Sequence, residues 1–248
     1  MLEFSESKVL FDIGHTLSLI KRCGTFIGYL GHVDFDRIDI YTGHNLYNMR
    51  KAGELKGYRW GSAVVHNGKV FMFCTRQAFL SSLPLVNPYK YQSVFLLESK
   101  DGIIFEDKGK VLDGSAPFIW EDKGLFYLFF HRRNPHRIMF RRALSPKGIN
   151  ENFVSELIAD FVNTLSAPSL VCLNGEYLLT CEFRRGCGNW QTILFKGNDL
   201  SELKKVKNPF LFDGACAFQH IFGDRYVLTY SVPNDNGDWR LMVKEAEI

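Results

Sequence analysis

The chain has 248 residues, of which 46% are hydrophobic and 23% are charged, and its formal net charge is +3. These values are typical of a folded globular protein and exclude a disordered chain, a collagen-like repeat and a coiled coil. The small basic excess gives no reason to expect a nucleic-acid partner. Aromatic residues make up 15% of the chain and glycine occurs 21 times. Because aromatic residues favour strands and glycine favours tight turns, this composition favours an all-β fold.

The six cysteines form no C-x-x-C pair and have no zinc-ligand spacing. We therefore expect reduced thiols with no role beyond packing, and we predict no metal-ligating residues and no cofactor. The N-terminal residues have neither the basic nor the apolar segment of a signal peptide. No run approaches the roughly 18 apolar residues of a membrane span. The sequence therefore predicts a cytoplasmic protein with no membrane partner.

One pattern recurs five times along the chain: a strand of small residues, a glycine-containing turn, and a strand rich in aromatic residues. The turns recur about every 50 residues, which is the spacing of a repeat architecture. Asn67-Gly68 and Asn174-Gly175 are strong hairpin signals, because both residue types tolerate a positive φ. The five turn glycines are Gly24, Gly68, Gly124, Gly175 and Gly223.

A third strand follows each clear copy, and a fourth fits before the next copy, for example around 105–112. Four strands per unit without a helix are typical of a propeller blade. We therefore predict an all-β, five-bladed β-propeller of four-stranded antiparallel blades that occupies residues 1–248 as one domain. A two-sheet sandwich is the alternative, but its strands recur every 8–12 residues without a longer period. The predicted blades are approximately 10–55, 56–110, 111–160, 161–210 and 211–248, and the segment 1–10 supplies the strand that closes the ring.

In such a ring the innermost strands begin at one face, and the second strands return to it. Starts of the first strands and loops between the second and third strands are therefore predicted to border one central pocket. Arginine suits the bidentate capture of a carboxylate or phosphate, and tryptophan could stack on a sugar. A solvated rim is the alternative for many of these charges. The predicted substrate-binding residues are His15, Arg59, Trp60, Arg76, Ser115, His131, Arg132, Ser166, Arg184, Trp190 and Trp239.

The runs 115–130 and 99–106 resemble blade motifs of five-bladed propeller glycosidases. That group includes family 43 arabinanases and xylosidases, family 32 invertases and family 130 mannoside phosphorylases. The resemblance extends over the whole chain at the level of the fold and implies a small-molecule carbohydrate ligand. The family 43 pattern has an Asp before Pro in blades one and three, and a Glu two residues before Pro in blade four. The corresponding residues here are Thr16, Ala116 and Ser166, none of which carries a carboxyl group.

This substitution leaves three hypotheses for the central pocket. A glycoside hydrolase could use displaced carboxylates, of which Glu182, Asp34 and Asp235 are the catalytic candidates. Glu182 is the preferred acid, because Arg184 and Arg185 lie beside it. A phosphorylase-like enzyme, acting on a glycan or an anionic sugar, would need only one protein acid. The third hypothesis is a glycan-binding propeller that has lost catalysis, and a protein-interaction propeller is a weaker alternative.

Overall fold

The computed structural model describes residues 3–32, 36–77, 92–133, 136–160, 163–185, 189–206 and 214–248. Within these residues the strands form five four-stranded antiparallel sheets, which confirms the predicted five-bladed propeller. The first three sheets contain β2 (Thr16–Arg22), β3 (Thr25–Gly31), β4 (Arg37–Gly43) and β5 (Arg50–Lys56); β6 (Arg59–His66), β7 (Lys69–Gln77), β8 (Gln92–Ser99) and β9 (Phe105–Asp113); and β10 (Ser115–Asp122), β11 (Leu125–Arg132), β12 (His136–Ala143) and β13 (Ser155–Asp160).

The last sheet joins the two ends of the chain. Strand β1 (Lys8–Phe11) pairs antiparallel with β20 (Trp239–Glu247), with Lys8 opposite Val243, and so stands as the outermost strand of blade five. A ring closed in this way has no break between its first and last blades. The last two sheets contain β14 (Thr164–Leu173), β15 (Glu176–Arg184), β16 (Gln191–Gly197) and β17 (Lys204–Lys205); and β18 (Ala215–Phe222), β19 (Arg225–Pro233), β20 (Trp239–Glu247) and β1 (Lys8–Phe11).

Among the described residues, helical structure is confined to short turns between third and fourth strands. Asn45 and Asp199 start two of them, each accepting a hydrogen bond from a backbone N–H two residues later. No helix in the described part of the chain is long and apolar enough to span a membrane. The 3₁₀ turns in the described segments are Leu46–Asn48, Pro146–Gly148 and Leu200–Glu202.

The hydrophobic core lies between neighbouring blades and depends on the aromatic second strands. Phe73 on β7 and both Phe129 and Phe130 on β11 are fully buried. Each such side chain contributes about 1.5–3 kcal/mol by leaving water. The alternation of side chains along a strand sends Phe129 towards blade four and Phe130 towards blade two, so one strand serves two interfaces.

Serine side chains join the innermost strands of neighbouring blades. The Ser18 hydroxyl accepts a hydrogen bond from the Ala63 N–H at 3.0 Å, and Ser62 accepts one from Ile119 at 3.0 Å. Ser169 likewise accepts one from the Gln219 N–H at 2.8 Å. These bonds satisfy buried backbone donors at the centre of the ring, where the inner strands diverge from one another.

Candidate functional site

A cavity of about 270 Å³ opens at one end of the central channel. It lies where the innermost strands begin and the second strands end, which is the face that the topology predicted for a pocket. We call it the central cavity. It is lined by His15, Thr16, Trp60, Ser115, Ala116, His131, Arg133, Thr164, Ser166, Ala167, Glu182, Arg184, Trp190, Cys216, Phe218 and Trp239.

A bulge at the start of the inner strand aims one residue of each of blades two to five into this cavity. The pairing of first and second strands shifts register at this point in all four blades. A positive φ is costly for residues other than glycine, and such bulges commonly redirect a side chain beside a functional site. The four bulge residues are Trp60, Ala116, Ala167 and Cys216, with φ between 44° and 49°.

Glu182 is the only carboxylate among the described residues that line the cavity. It lies on β15 directly opposite Ser166, and the Ser166 hydroxyl donates to its Oε2 at 2.6 Å. Its side chain is buried, and this burial raises the carboxyl pKa. The hydrogen bonds from Ser166 and Cys216, together with the charges of Arg133 and Arg184, oppose that rise.

Two further polar groups lie against this carboxyl. The Cys216 thiol donates to Glu182 Oε1 at 3.4 Å and lies 3.3 Å from His15 Nδ1. Burial lowers the pKa of His15 to about 3, so the imidazole is neutral. Burial and the Glu182 charge raise the pKa of the Cys216 thiol well above its usual value. His15, Glu182 and Cys216 each offer one metal-ligating atom, and these atoms lie within 4.8 Å of one another.

A hydrogen-bonded pair of histidines lies at the wall that blade three contributes to the cavity. His131 Nδ1 lies 3.4 Å from the Ser115 hydroxyl, and its Nε2 lies 2.9 Å from His136 Nδ1. The two imidazole rings are stacked with centroids 5.0 Å apart. Burial, assisted by the charges of His136 and Arg133, lowers the pKa of His131 well below its usual value. This wall therefore presents a neutral imidazole to the cavity.

Aromatic rings form much of the remaining lining. The His15 ring meets the edge of Trp239 at a centroid distance of 4.9 Å, and the Arg184 guanidinium lies 5.1 Å from the centre of the Trp190 ring. Two buried polar atoms of the cavity, Thr16 Oγ1 and Trp60 Nε1, have no hydrogen-bond partner among the described residues. Such groups are rare in native proteins and call for an explanation, and a polar ligand is one.

The structure brings many of the predicted site residues to the cavity. Asp34 lies outside the described residues. The predicted residues that line the cavity are Glu182, His15, Trp60, Ser115, His131, Ser166, Arg184, Trp190 and Trp239.

Three predicted arginines do not line the cavity, because other contacts hold them. Arg59 pairs with Asp36, and Arg132 pairs with Glu151 while its guanidinium covers the Phe130 ring. Arg76 lies over the Tyr58 and Phe95 rings, with Asp107 at 3.8 Å.

The third catalytic candidate also lies apart from the cavity. Asp235 is exposed on the turn before β20 and is absent from the lining. Its carboxylate therefore does not enter the mechanism proposed below.

Sequence reasoning placed Arg132 in the site where the structure has Arg133, and it assigned Cys216 to packing. Side chains alternate along a strand, so Arg133 shares a side with His131, and this alternation was the available signal. Cys216 occupies the position of Ala116 and Ala167 in its own repeat, so an alignment of the repeats would have placed it at the cavity.

No protein-family model and no curated protein match this sequence. Solved structures do match its fold. A thermostable family-43 glycoside hydrolase superposes with a TM-score of 0.74 at 13% identity, over 94% of this chain and 88% of that one. An exo-1,5-α-L-arabinanase from a bovine ruminal metagenomic library gives 0.72 at 13%, over 97% and 95%. A GH32 β-fructofuranosidase of Bombyx mori gives 0.71 at 17%, over 96% and 62%.

These matches confirm the resemblance of the chain to the five-bladed propeller glycoside hydrolases at the level of the fold. Because fold and function are separable, the activity must be argued from the cavity itself.

Proposed function

We propose that the central cavity binds a glycan and that the protein cleaves a glycosidic bond there, with Glu182 as the proton donor to the leaving oxygen. The observation that carries this proposal is the position of Glu182. It is a buried carboxyl at the cavity wall and the only one among the described lining residues. Protonation of the leaving oxygen is the step that glycoside cleavage requires of a protein acid.

The location of Glu182 fits the substituted family pattern. In that pattern a Glu stands at the position of Ser166, on the innermost strand of blade four. Here Ser166 donates its hydroxyl to Glu182, which lies opposite it on the second strand of the same blade. The carboxyl of this chain therefore lies one strand further from the propeller axis than the Glu of the family pattern, and it still lines the cavity.

The lining favours a sugar as the ligand. Three tryptophans supply flat apolar surfaces, while Thr16 Oγ1 and Trp60 Nε1 are buried polar atoms with no hydrogen-bond partner in the described part of the chain. A pocket with apolar walls and a few convergent polar groups is typical of a small-molecule site. Sugar rings present apolar faces and hydroxyl edges, which complement both features.

We favour phosphate over water as the attacking group. No second carboxylate that could activate water is present among the described lining residues, whereas Arg133 and Arg184 line the cavity and suit a phosphate. A phosphate oxygen would attack the anomeric carbon as the glycosidic bond breaks and Glu182 protonates the leaving oxygen. The products are a sugar phosphate and a shortened glycan, and Glu182 regains its proton from solvent.

A panel of oligosaccharides assayed with and without inorganic phosphate tests this proposal. We expect phosphate-dependent release of a sugar phosphate. Glu182→Gln should lower kcat by about 10²–10⁴-fold, because the general acid is lost, and should keep glycan binding within a few-fold. Glu176→Gln is the matched control on the same strand, since Glu176 pairs with Lys196 away from the cavity. Turnover by Glu182→Gln equal to that of the control would contradict the proposal.

A non-catalytic glycan-binding protein is the second candidate. It is favoured by Thr16, Ala116 and Ser166, which occupy the three carboxylate positions of the family 43 pattern. Saturable glycan binding measured by calorimetry, without turnover under any condition of the panel, would support this function in place of the first.

A further inference from the structure

His15, Glu182 and Cys216 form a compact cluster, which we call the thiol cluster, at the wall of the central cavity. They come from blades one, four and five, so no local sequence motif contains them. Their side chains are buried, with 7%, 7% and 3% of the residue exposed. The fold therefore brings together three buried groups that are not neighbours in the sequence.

The distances within the cluster are those of ligands around one small ion. Cys216 Sγ lies 3.3 Å from His15 Nδ1 and 3.4 Å from Glu182 Oε1. Zinc bonds of about 2.0–2.3 Å in a tetrahedral arrangement place neighbouring ligand atoms roughly 3.3–3.6 Å apart. His15 Nε2 lies 4.0 Å from Glu182 Oε1, and one ligand atom from each of the three residues lies within 4.8 Å of the other two.

The donor types narrow the choice of ion. A thiolate, an imidazole nitrogen and a carboxylate oxygen are all zinc ligands, whereas calcium and magnesium take oxygen ligands. We propose that the thiol cluster binds a divalent transition-metal ion, with Zn²⁺ as the best fit, through three protein ligands and a fourth position open to the cavity. Binding displaces the thiol proton of Cys216 to solvent as the sulfur–metal bond forms.

The surroundings support this ligand set. Ligating carboxylates are normally held by a further hydrogen bond, and the Ser166 hydroxyl donates to Glu182 Oε2 while Oε1 faces the cluster. The Trp239 ring contacts the His15 ring and restricts its orientation. The bulge at Cys216 directs the thiol inward. Each ligand is therefore positioned by a separate feature of the protein.

This metal site goes beyond the proposed function and stands without it. The two are linked at Glu182, because a carboxylate bound to a metal cannot deliver a proton to a leaving group. A metal-loaded protein should therefore be inactive in glycoside cleavage, and removal of the ion by a chelator should restore activity. Millimolar Ca²⁺ or Mg²⁺ should have no such effect.

The direct test measures metal binding without any glycan. The reduced, chelator-treated full chain is titrated with Co²⁺ and Zn²⁺, and bound metal is counted by mass spectrometry after dialysis. We expect one equivalent of Zn²⁺, and a thiolate-to-cobalt charge-transfer band with Co²⁺. In Cys216→Ala the band should vanish and Zn²⁺ affinity should fall at least about 100-fold. This variant should fold, since alanine occupies the equivalent bulge positions 116 and 167 with the same backbone conformation.

Cys23→Ser is the control, because Cys23 is an exposed thiol in the turn after β2, at the opposite end of that strand from His15, and it should bind both ions like the unaltered protein. Failure of the unaltered chain to bind Zn²⁺, or equal binding by Cys216→Ala, would overturn the metal site. Neither result depends on whether glycans are cleaved, so failure of the metal site and failure of the proposed function remain distinguishable.

Discussion

The central channel has a cavity at each end, and the same five inner strands line both. The central cavity lies where these strands begin. The second cavity, the distal depression, has a volume of about 580 Å³ and is lined by residues 18–21, 62–65, 118–122, 171–172 and 219–222. Phe118 lines the distal depression and Phe218 lines the central cavity, and their rings meet edge to face with centroids 5.7 Å apart. This aromatic pair separates the two ends.

The two ends differ in how their polar groups are satisfied. In the distal depression, Ser18 and Ser62 accept hydrogen bonds from neighbouring blades, and His220 bonds the Leu17 carbonyl. In the central cavity, Thr16 Oγ1 and Trp60 Nε1 have no partner among the described residues. Unsatisfied and strained groups typically mark functional sites. The difference indicates that one end of the channel holds the ring together while the other is shaped for a ligand.

The largest effect on stability is expected at the aromatic pair between the two ends. Phe118→Ala should lower the free energy of unfolding by about 3–5 kcal/mol, because it leaves a cavity against Phe218. Denaturation in urea, followed by circular dichroism, measures this change. Phe153 is 87% exposed, so Phe153→Ala is the control and should change stability by less than about 0.5 kcal/mol. Equal effects of the two substitutions would refute a structural role for the pair.

The contribution of His220, in the distal depression, to the free energy of unfolding should depend on pH. Burial lowers the pKa of His220 to about 4, so the unfolded chain takes up a proton below pH 6.5 while the native state does not until about pH 4. The stability that His220 contributes is therefore complete above pH 6.5 and is lost as the pH falls from 6.5 to 4, by about 3 kcal/mol.

His220→Gln keeps a donor for the Leu17 carbonyl and removes the titration. The loss of unfolding free energy between pH 7 and 4 should therefore be about 3 kcal/mol smaller in this variant than in the unaltered protein. An unchanged pH dependence in His220→Gln would show that His220 does not contribute to it.

A smaller loss is expected from the serines that join blades. Ser62→Ala removes the acceptor of the Ile119 N–H and should lower the free energy of unfolding by about 1–3 kcal/mol, because a buried donor loses its partner. Thermal and urea unfolding both measure it. Ser155 is exposed on β13, so Ser155→Ala should change stability by less than about 0.5 kcal/mol. If the Ser62→Ala protein is as stable as this control, the hydrogen bond between Ser62 and Ile119 does not stabilise the propeller.

The repeat made the fold predictable, and strand order made the location of the site predictable. A turn glycine about every 50 residues defines five units, and the starts of their inner strands must meet at one face. Individual side chains were harder to place. Arg59 and Arg132 have carboxylate partners on other strands or turns, and the sequence does not show that Asp36 and Glu151 lie within reach.

The thiol cluster could not be predicted from the sequence, because its residues are far apart along the chain. Cysteine and histidine spacing reveals a metal site when ligands are close along the chain, as in C-x-x-C motifs. Here His15 and Cys216 come from opposite ends of the chain and become neighbours only because β1 and β20 close the ring. Closure of the propeller, rather than any local pattern, creates this contact.

The smallest change, and one of opposite sign, is expected at the ligand end. Thr16 is 1% exposed and its hydroxyl has no hydrogen-bond partner among the residues that the structure describes, so Thr16→Val should leave stability unchanged or raise it by up to about 1 kcal/mol. Thr180 is equally buried, but its hydroxyl donates to the Ala217 carbonyl at 3.0 Å. Thr180→Val should therefore destabilise the protein by about 1–3 kcal/mol. The same substitution then has opposite effects at a site built for stability and a site built for a ligand.

Glycan binding by Thr16→Val, measured by calorimetry, should weaken about 5-fold if the hydroxyl serves the ligand. A destabilised Thr16→Val protein with unaltered glycan affinity would place Thr16 among the structural groups and remove the contrast between the two ends.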